Sequence, residues 1–219
     1  MADLGCATLI GDLVRSREAS SRVALQAALE DVLERANELL EPVQPLETTV
    51  GDEFQGVFLH PADAVKASLM LRLLLLKEGE VDARFGLGFG EVNVFKHKRP
   101  ISQDGPGWWS ARAAIERVAR MAEVGRTEFV RTYLESSRIS EHPRSEIVAL
   151  NSYLLCRDAL VSHMKSRSRR LLLGLILDVP QAVLAAEEKI SQSAVSQNLA
   201  NSGAYAIWVS ELELEGRMF

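Results

Sequence analysis

Cysteine, positive charge and long apolar runs are scarce in this sequence, and each scarcity excludes a class of protein. Two cysteines cannot supply the disulfide framework of a small secreted domain. We expect Cys6 and Cys156, which both lie in apolar runs, to be buried free thiols in a reducing compartment. The most apolar window, Leu69–Leu76, contains Arg72 and is far shorter than the roughly 20 residues of a transmembrane helix. No basic stretch followed by an apolar one opens the sequence, which predicts no signal peptide and a cytoplasmic protein.

Positive charge is in deficit, because 25 lysines and arginines face 30 aspartates and glutamates and leave a formal net charge of −5. The molecule therefore has no overall basic field to attract nucleic acid, and any contact with DNA must depend on a local patch. What the 219 residues do supply is apolar side chains, at 47% of the total. That is enough for a substantial core and for one or two domains.

The first half of the sequence predicts an α+β domain. Cys6–Leu13 is an apolar run typical of a buried strand, and Glu47–Leu59 has the two β-rich arms of a hairpin. Apolar residues follow helical spacing after the first strand and again after the hairpin. With a further strand over Val81–Val94, the order becomes β-α-β-β-α-β, which is the ferredoxin-like arrangement.

The composition changes after residue 136 and indicates a second domain. A helix from Pro106 to about Ala122 and a strand over Thr127–Leu134 complete the first part, and residues 136–145 are polar. Helical patterns follow from about Glu146 to the end. We predict an α+β domain over 1–136, a linker over 137–145 and an all-α domain over 146–219.

Two carboxylates at the ends of neighbouring strands are the strongest chemical signal. Asp12 ends the first strand and Asp52 lies in the hairpin turn, so a β-α-β-β fold brings them to one corner of the sheet. At about 4 Å they would repel by roughly 4 kcal/mol at an effective dielectric constant near 20, and a bound cation removes that cost. Mg²⁺ prefers one or two carboxylates with phosphate oxygens, and Glu53 could be a third ligand. Alternatively, these acids only accept hydrogen bonds from turn N–H groups.

Several residues near this corner suit phosphate. Arg15 and Arg17 follow the first carboxylate closely, and guanidinium groups match phosphate oxygens; a solvated loop is the alternative. Gly88 and Gly90 share one strand face, which indicates close approach of a ligand or, alternatively, of a packed helix. The next helix offers N-terminal N–H groups to an anion, with Arg112 near its start. The candidate phosphate-binding residues are Arg15, Arg17, Gly51, Gly88, Gly90 and Arg112.

Residues 181–199 are predicted to form two short helices joined by a turn. Leu184 and Ala185 in the first helix and Val195 and Leu199 in the second resemble the helix-turn-helix of bacterial regulators. Polar side chains on the second helix could bond to base edges in the major groove, and basic residues before the module could follow the backbone. The alternative is a helical docking or dimerisation module. The candidate DNA-binding residues are Ser191, Gln192, Ser193, Ser196, Gln197, Asn198, Arg167 and Arg169.

Short motifs carry a more specific resemblance. Residues 51–54 resemble the Gly-Asp-Glu-Phe turn of the class III nucleotide cyclase and GGDEF superfamily, and Ile10–Asp12 resembles the strand that ends in its first metal aspartate. Residues 11–17, 51–56, 84–91 and 104–112 are together similar to the SatD family. This resemblance implies a palm-like, cyclase-like domain with an appended helix-turn-helix. We also expect a nucleotide ligand, bound with Mg²⁺ or Mn²⁺, and a homodimer.

Three interpretations of function are open at this point. The chain could be a regulator that binds a nucleotide and metal in its first domain and DNA through its last helices. It could instead be a nucleotidyl cyclase or transferase acting on a nucleoside triphosphate, with Asp12 and Asp52 holding the metal ions. Or it could be an inactive cyclase-like fold that serves as a dimerisation scaffold.

Overall fold

A five-stranded sheet with helices on both faces organises the first part of the chain. The computed structural model describes residues 6–18, 21–79, 81–96, 102–137 and 144–217. The strands are β1 (Cys6–Leu13), β2 (Gln44–Thr48), β3 (Glu53–Phe58), β4 (Ala83–Gly90), β5 (Asn93–Lys96), β6 (Ser102–Asp104) and β7 (Thr132–Ser136). The helices are α1 (Arg22–Leu40), α2 (Pro61–Glu78), α3 (Pro106–Ala122), α4 (Arg144–His163), α5 (Ser166–Ile176), α6 (Gln181–Glu188), α7 (Gln192–Asn201) and α8 (Ala204–Leu214).

The strand order β2-β3-β1-β4-β7 places the first strand at the centre of the sheet. β1 pairs antiparallel with both β3 and β4, and β7 adds parallel to β4. The predicted α+β class and β-α-β-β-α-β order are thus confirmed. Helices α1 and α2 cover one face of the sheet, and α3 covers the other along β4, β1 and β7.

Local hydrogen bonds set the ends of α1 and the start of α2. The hydroxyl of Ser21 accepts a hydrogen bond from the Ala24 N–H at 3.2 Å and begins α1, and Glu41 ends it in the left-handed region. The Asp63 carboxylate accepts from the His60 N–H at 3.2 Å at the start of α2.

Three strand predictions are wrong in extent. The hairpin predicted from Glu47 begins at Gln44, the first residue of β2. The strand predicted over Val81–Val94 is two elements: β4 ends at Gly90, and β5 pairs with β6 in a separate small hairpin. The strand predicted over Thr127–Leu134 begins only at Thr132, because its first residues form turns, with the Val130 N–H donating to the Thr127 carbonyl at 3.1 Å.

The C-terminal helices pack against α2 and β7 through buried charged groups. Arg72 is 2% exposed and donates to both carboxylate oxygens of Asp82, at 2.8 and 3.1 Å, and to the Ser162 hydroxyl at 2.9 Å. Asp158 on α4 accepts from the backbone N–H groups of Arg131 and Thr132 at 2.7 and 2.6 Å. Charged contacts therefore fasten α4 to the start of β7.

A second set of contacts continues from α4 to α8. Arg157 is 1% exposed and donates to the Ser68 hydroxyl at 3.0 Å, to the Thr132 hydroxyl at 2.9 Å and to the Glu211 carboxylate at 3.4 Å. The Tyr153 hydroxyl donates to the same carboxylate at 2.6 Å. One apolar cluster also runs from the sheet and α2 into α4, α5 and α8. Within the described ranges, the helical part and the sheet share one core.

Asparagine side chains close both edges of the sheet. Asn37 on α1 accepts from the Leu46 N–H at 2.7 Å and donates to the Leu46 carbonyl at 3.0 Å on β2. Asn151 on α4 makes the same pair of bonds with Leu134 on β7, both at 2.9 Å. Each amide thus satisfies the backbone N–H and carbonyl of one residue on an edge strand.

The expectation that both cysteines are buried is wrong. Cys6 is half-buried at the start of β1, and Cys156 is exposed on α4. In the part of the chain that the structure describes, no helix combines the length and hydropathy that a membrane crossing requires.

Candidate functional site

Asp12 lies at the end of the central strand, between two charged neighbours. It is in register with Glu53 on β3 and with Arg84 on β4. Directly opposed residues in antiparallel strands project to the same side of a sheet. Thr8 lies four positions earlier on β1 and therefore projects to the same side as Asp12. It donates to the Gly107 carbonyl of α3 at 2.9 Å, so this side is the one that carries α3.

Two arginine–carboxylate pairs extend across this face and together form a charged row. Arg84 donates to both oxygens of Asp12 at 2.9 and 2.7 Å. Arg112 on α3 donates to both oxygens of Glu53 at 2.7 and 2.8 Å. The charged row is therefore Arg84, Asp12, Glu53 and Arg112. Its side chains are 25 to 47% exposed, so solvent and ligands can reach each of them.

The pKa of Asp12 shows that its negative charge is only partly offset. Burial raises the pKa above the ordinary 3.8, and the nearby charges of Asp52 and Glu53 raise it further. The bidentate pair with Arg84 acts in the opposite direction without cancelling these effects. The three acids predicted as metal ligands therefore interact electrostatically at one corner.

Asp52 occupies the hairpin turn beside the start of α1. Gly51 adopts a φ of 69°, the left-handed conformation that a glycine accepts readily in a turn. The two turn residues line a cavity of about 430 Å³ together with Arg22 on the first turn of α1. Arg22 thus adds a cation near the acidic corner that the sequence analysis did not identify.

A larger cleft of about 800 Å³ opens on the other side of the β1 end. Arg15, Arg84 and Arg131 line it, together with Asp82 and His163. Arg15 is exposed and has a φ of 58°, a left-handed conformation that is uncommon for a residue with a side chain. Among the described contacts, Arg15 has no ion-pair partner. The side chain of Arg17 lies outside the described residues.

The glycines of β4, which are Gly86, Gly88 and Gly90, accommodate a packed helix rather than a phosphate. A Cβ at Gly88 would lie 2.1 Å from the Gly107 carbonyl oxygen, and one at Gly86 would lie 2.2 Å from that of Ala111. At Gly90 a Cβ would meet Ser137 and Gly107. Of the two interpretations given above for Gly88 and Gly90, the structure supports close packing of α3, because the helix backbone fills the space that a ligand needs.

The donor set at the corner suits a hard divalent cation, since it consists of carboxylate oxygens. Asp12 and Glu53, however, already accept bidentate bonds from arginines. In the described ranges, no three His, Cys, Asp or Glu side chains are grouped as a ready-made cation site. A cation at this corner therefore competes with Arg84 for the carboxylate oxygens of Asp12.

The predicted DNA-binding residues lie on α7 and on the α5 segment. Gln192, Ser193, Ser196 and Gln197 are exposed, and Asn198 is half-buried. The Ser191 hydroxyl accepts from the Ala194 N–H at 3.1 Å and caps the helix.

The basic residues before this pair of helices are largely committed to contacts within the chain. Arg167 and Arg170 both pair with Glu188 on α6. Arg169 is half-buried and donates to the carbonyls of Val161 and Ser162 at 3.2 and 3.1 Å. These arginines supply little free positive charge for a nucleic acid backbone.

Arg84 is the main site residue that the sequence analysis missed, although a signal for it exists. It precedes Gly86 by two positions on one strand, so it shares the face on which the glycines admit α3. The ion pair becomes apparent only when the register between β1 and β4 is known, and the alternation of residues along one strand does not predict that register.

The fold and corner define a ferredoxin-like α+β protein with a charged row at the end of its central strand. The chain belongs to the SatD family, whose model matches residues 6–210. No curated protein matches the sequence.

Solved structures similar to this one include nucleotide cyclase domains. A dimeric guanylyl cyclase domain of the RhoGC fusion protein from the aquatic fungus Blastocladiella emersonii has a TM-score of 0.43 and 15% identity, over 51% of this chain and 73% of that one. The guanylate cyclase domain of RhGC from Catenaria anguillulae in complex with GTP gives 0.42 and 15%, over 52% and 73%. The adenylyl cyclase CyaB from P. aeruginosa gives 0.39 and 15%, over 55% and 81%.

Proposed function

We propose that this protein binds a nucleoside triphosphate together with Mg²⁺ or Mn²⁺ at the corner formed by Asp12 and Asp52. The observation that carries the proposal is the charged row, in which two neighbouring carboxylates at the end of the central strand are flanked by two arginines. Carboxylate oxygens suit the cation, and the arginine forks suit phosphate oxygens. One corner thus offers both kinds of partner that a metal–triphosphate complex requires.

Each side chain has a distinct role in this proposal. Asp12 and Asp52 would hold the cation, with Glu53 beside them. Arg15 and Arg22 flank the corner from the two cavities and would contact phosphate oxygens. When bound, the cation neutralises phosphate charge and can acidify a hydroxyl that attacks phosphorus.

Ligand-dependent melting of the full chain tests the binding proposal. A nucleoside triphosphate with Mn²⁺ at about 100 times its dissociation constant should stabilise the fold by about 2.7 kcal/mol, or roughly 5–11 °C in Tm for a chain of this size. Asp52→Asn should abolish the shift, and Asp12→Asn should abolish the part of the shift that depends on Mn²⁺. Asp178→Asn is the matched control, because Asp178 is 63% exposed and lies outside the site. No shift in the wild-type protein with any of the four common nucleoside triphosphates would refute the proposal.

Turnover of the bound nucleotide is a further candidate function, favoured by the pair of acids at one corner. In a nucleotidyl cyclase or transferase, two carboxylates hold metal ions that activate a hydroxyl and stabilise the triphosphate. Incubation with labelled nucleoside triphosphates and Mn²⁺ should then give a cyclic or oligomeric product that Asp12→Asn eliminates. Binding without any product would establish a nucleotide-binding protein and exclude the enzyme.

The exposed polar face of α7 favours DNA binding as a second candidate function. Gln192 and Gln197 present amide groups to solvent on a helix that Ser191 caps. Because the neighbouring arginines are paired, binding would depend on hydrogen bonds more than on charge. A DNA mobility shift at low salt should disappear in the Gln192→Ala, Gln197→Ala double variant. Absence of a wild-type shift at low salt would exclude this role.

A further inference from the structure

At the proposed site, Arg84 and Asp12 hydrogen-bond to each other through the groups that they would otherwise offer to a ligand. Two hydrogen bonds of 2.9 and 2.7 Å satisfy both carboxylate oxygens of Asp12 and two of the donors of Arg84. The two side chains are 26 and 27% exposed, so solvent reaches the pair, and its two hydrogen bonds rather than burial keep the groups from a ligand. A cation reaching Asp12 meets a guanidinium in its place, and an anion reaching Arg84 meets a carboxylate.

The position of Arg84 gives it a second possible partner. Its side chain lines the cleft of about 800 Å³ that Arg15 also lines. A phosphate group between these two arginines would satisfy the guanidinium of Arg84 as well as a carboxylate does, since both oxyanions accept its two parallel N–H donors. Asp12 would then be left with its lone pairs free, beside the charges of Asp52 and Glu53.

We propose that the Arg84–Asp12 ion pair is an exchange switch that makes the cation and the polyphosphate bind as a unit, which rests on the proposed function. Transfer of Arg84 from Asp12 to the polyphosphate frees the carboxylate for the cation, so one ion pair is replaced by two. Either ligand alone has to break the pair and leaves one of its members without a partner. Each ligand alone therefore binds weakly, and their complex binds tightly.

Titrations with single ligands test the exchange directly. Inorganic triphosphate, titrated in the presence of a chelator, should bind Asp12→Asn about tenfold or more tightly than wild type, because Arg84 is released from its carboxylate. Mn²⁺ alone should bind Arg84→Gln about tenfold or more tightly than wild type, because Asp12 is released. The preformed manganese–triphosphate complex should bind wild type more tightly than either ligand alone.

Arg117→Gln is the control for the change in charge. Arg117 also lies on the α3 side of the sheet and pairs with Glu135 at 3.3 Å, but it has no contact with Asp12. Its removal should leave both single-ligand affinities within about twofold of wild type.

The outcomes separate the exchange from the binding function itself. If wild type binds the complex but Asp12→Asn gains no affinity for triphosphate and Arg84→Gln gains none for Mn²⁺, the exchange is wrong and the binding function stands. If Asp12→Asn loses triphosphate affinity instead, Asp12 does not hold Arg84 away from the phosphate and the exchange is wrong. If wild type does not bind the complex, both proposals are wrong. Melting of each variant at a temperature near that of wild type confirms that the fold is intact.

Discussion

Single charged residues differ greatly in how much of the fold depends on them. Arg157 is 1% exposed and reaches Val65, Ser68 and Thr132 as well as Glu211, whereas Arg117 is 49% exposed and pairs with one glutamate. A buried charge that loses its partner keeps its desolvation cost, while an exposed one is solvated by water. The same substitution should therefore have very different effects at these two positions.

Replacement of Arg157 by alanine is expected to lower the free energy of unfolding by about 3–5 kcal/mol, since it leaves Glu211 buried without its guanidinium and removes one of the two guanidinium groups beside Asp158. Arg117→Ala is the control and should cost about 0–1 kcal/mol. Urea unfolding of both variants provides the measurement. A cost below about 1 kcal/mol for Arg157→Ala would mean that the buried contacts contribute no more than a surface pair.

Two aspartates should affect the pH dependence of stability with opposite signs. Burial opposes ionisation of Asp82, but Arg72 and Arg131 outweigh it and hold the pKa of Asp82 below the ordinary 3.8. Burial raises the pKa of Asp12 above 3.8, with only partial opposition from Arg84. Asp82 therefore stabilises the fold above about pH 4, and this contribution is lost as the pH falls through its lowered pKa. The contribution of Asp12 is present below about pH 4 and is lost as the pH rises through its raised pKa.

Urea unfolding between pH 3 and pH 6 distinguishes these two signs. Relative to wild type, Asp82→Asn should become progressively less stable as the pH rises, whereas Asp12→Asn should become progressively more stable. If the stability differences of the two variants from wild type changed with pH in the same way, Asp12 and Asp82 would have similar pKa values in the folded wild-type protein.

At the scale of elements, the packing of α3 on β4 depends on the absence of side chains. The helix backbone comes so close to Gly86 and Gly88 that an added Cβ would lie within 2.2 Å of a carbonyl oxygen. The neighbouring atoms are backbone, so they cannot rotate away as the end of a side chain can. The strand and helix would have to separate.

Gly88→Ala is therefore expected to destabilise the fold by at least about 1–3 kcal/mol, the usual cost of overpacking. Gly125→Ala is the matched control, because an added Cβ at Gly125 has no atom within 4 Å among the described residues and the backbone there needs no positive φ. Thermal unfolding compares the two. Equal Tm values would show that α3 can move away from β4 at little cost.

The sequence predicts elements better than it predicts their relations. Cys6–Leu13 and Pro106–Ala122 have the predicted bounds, because an apolar run and a proline at the first helical turn are local signals. The end of β4 at Gly90 was not predicted, because apolar residues continue to alternate with polar ones over residues 91–94. In the structure, the Glu91 carbonyl instead accepts a hydrogen bond from the Gly107 N–H at 2.9 Å. The same limit hid the Arg84–Asp12 pair, which depends on strand register.

At the scale of the whole molecule, the helical part and the sheet form a continuous core. Leu154 and Val161 of α4 and Leu171 of α5 belong to the same apolar cluster as Leu71 of α2. Division into domains over 1–136 and 146–219 stays a prediction. The shared core favours one cooperative unfolding unit, because separation would expose this apolar surface and the charged groups buried beside it.

The three tryptophans allow this to be measured. Trp208→Phe leaves Trp108 and Trp109 as reporters of α3, and the Trp108→Phe, Trp109→Phe double variant leaves Trp208 as a reporter of α8. For each variant, the urea transition followed by tryptophan fluorescence should coincide with the transition followed by circular dichroism. A fluorescence transition that precedes the circular dichroism transition in either variant would show two independent units.

The asparagines at the sheet edges have a consequence for storage and expression. An uncovered strand is a template on which further chains can polymerise. Asn37 and Asn151 fill the hydrogen-bonding positions of Leu46 and Leu134, and Pro45 in β2 has no N–H to offer. Replacing Asn37 would uncover a short template on β2, and replacing the buried Asn151 would uncover one on β7. Such variants should first reveal themselves as turbid, fibre-forming solutions at high concentration, before any loss of folded protein is visible in dilute samples.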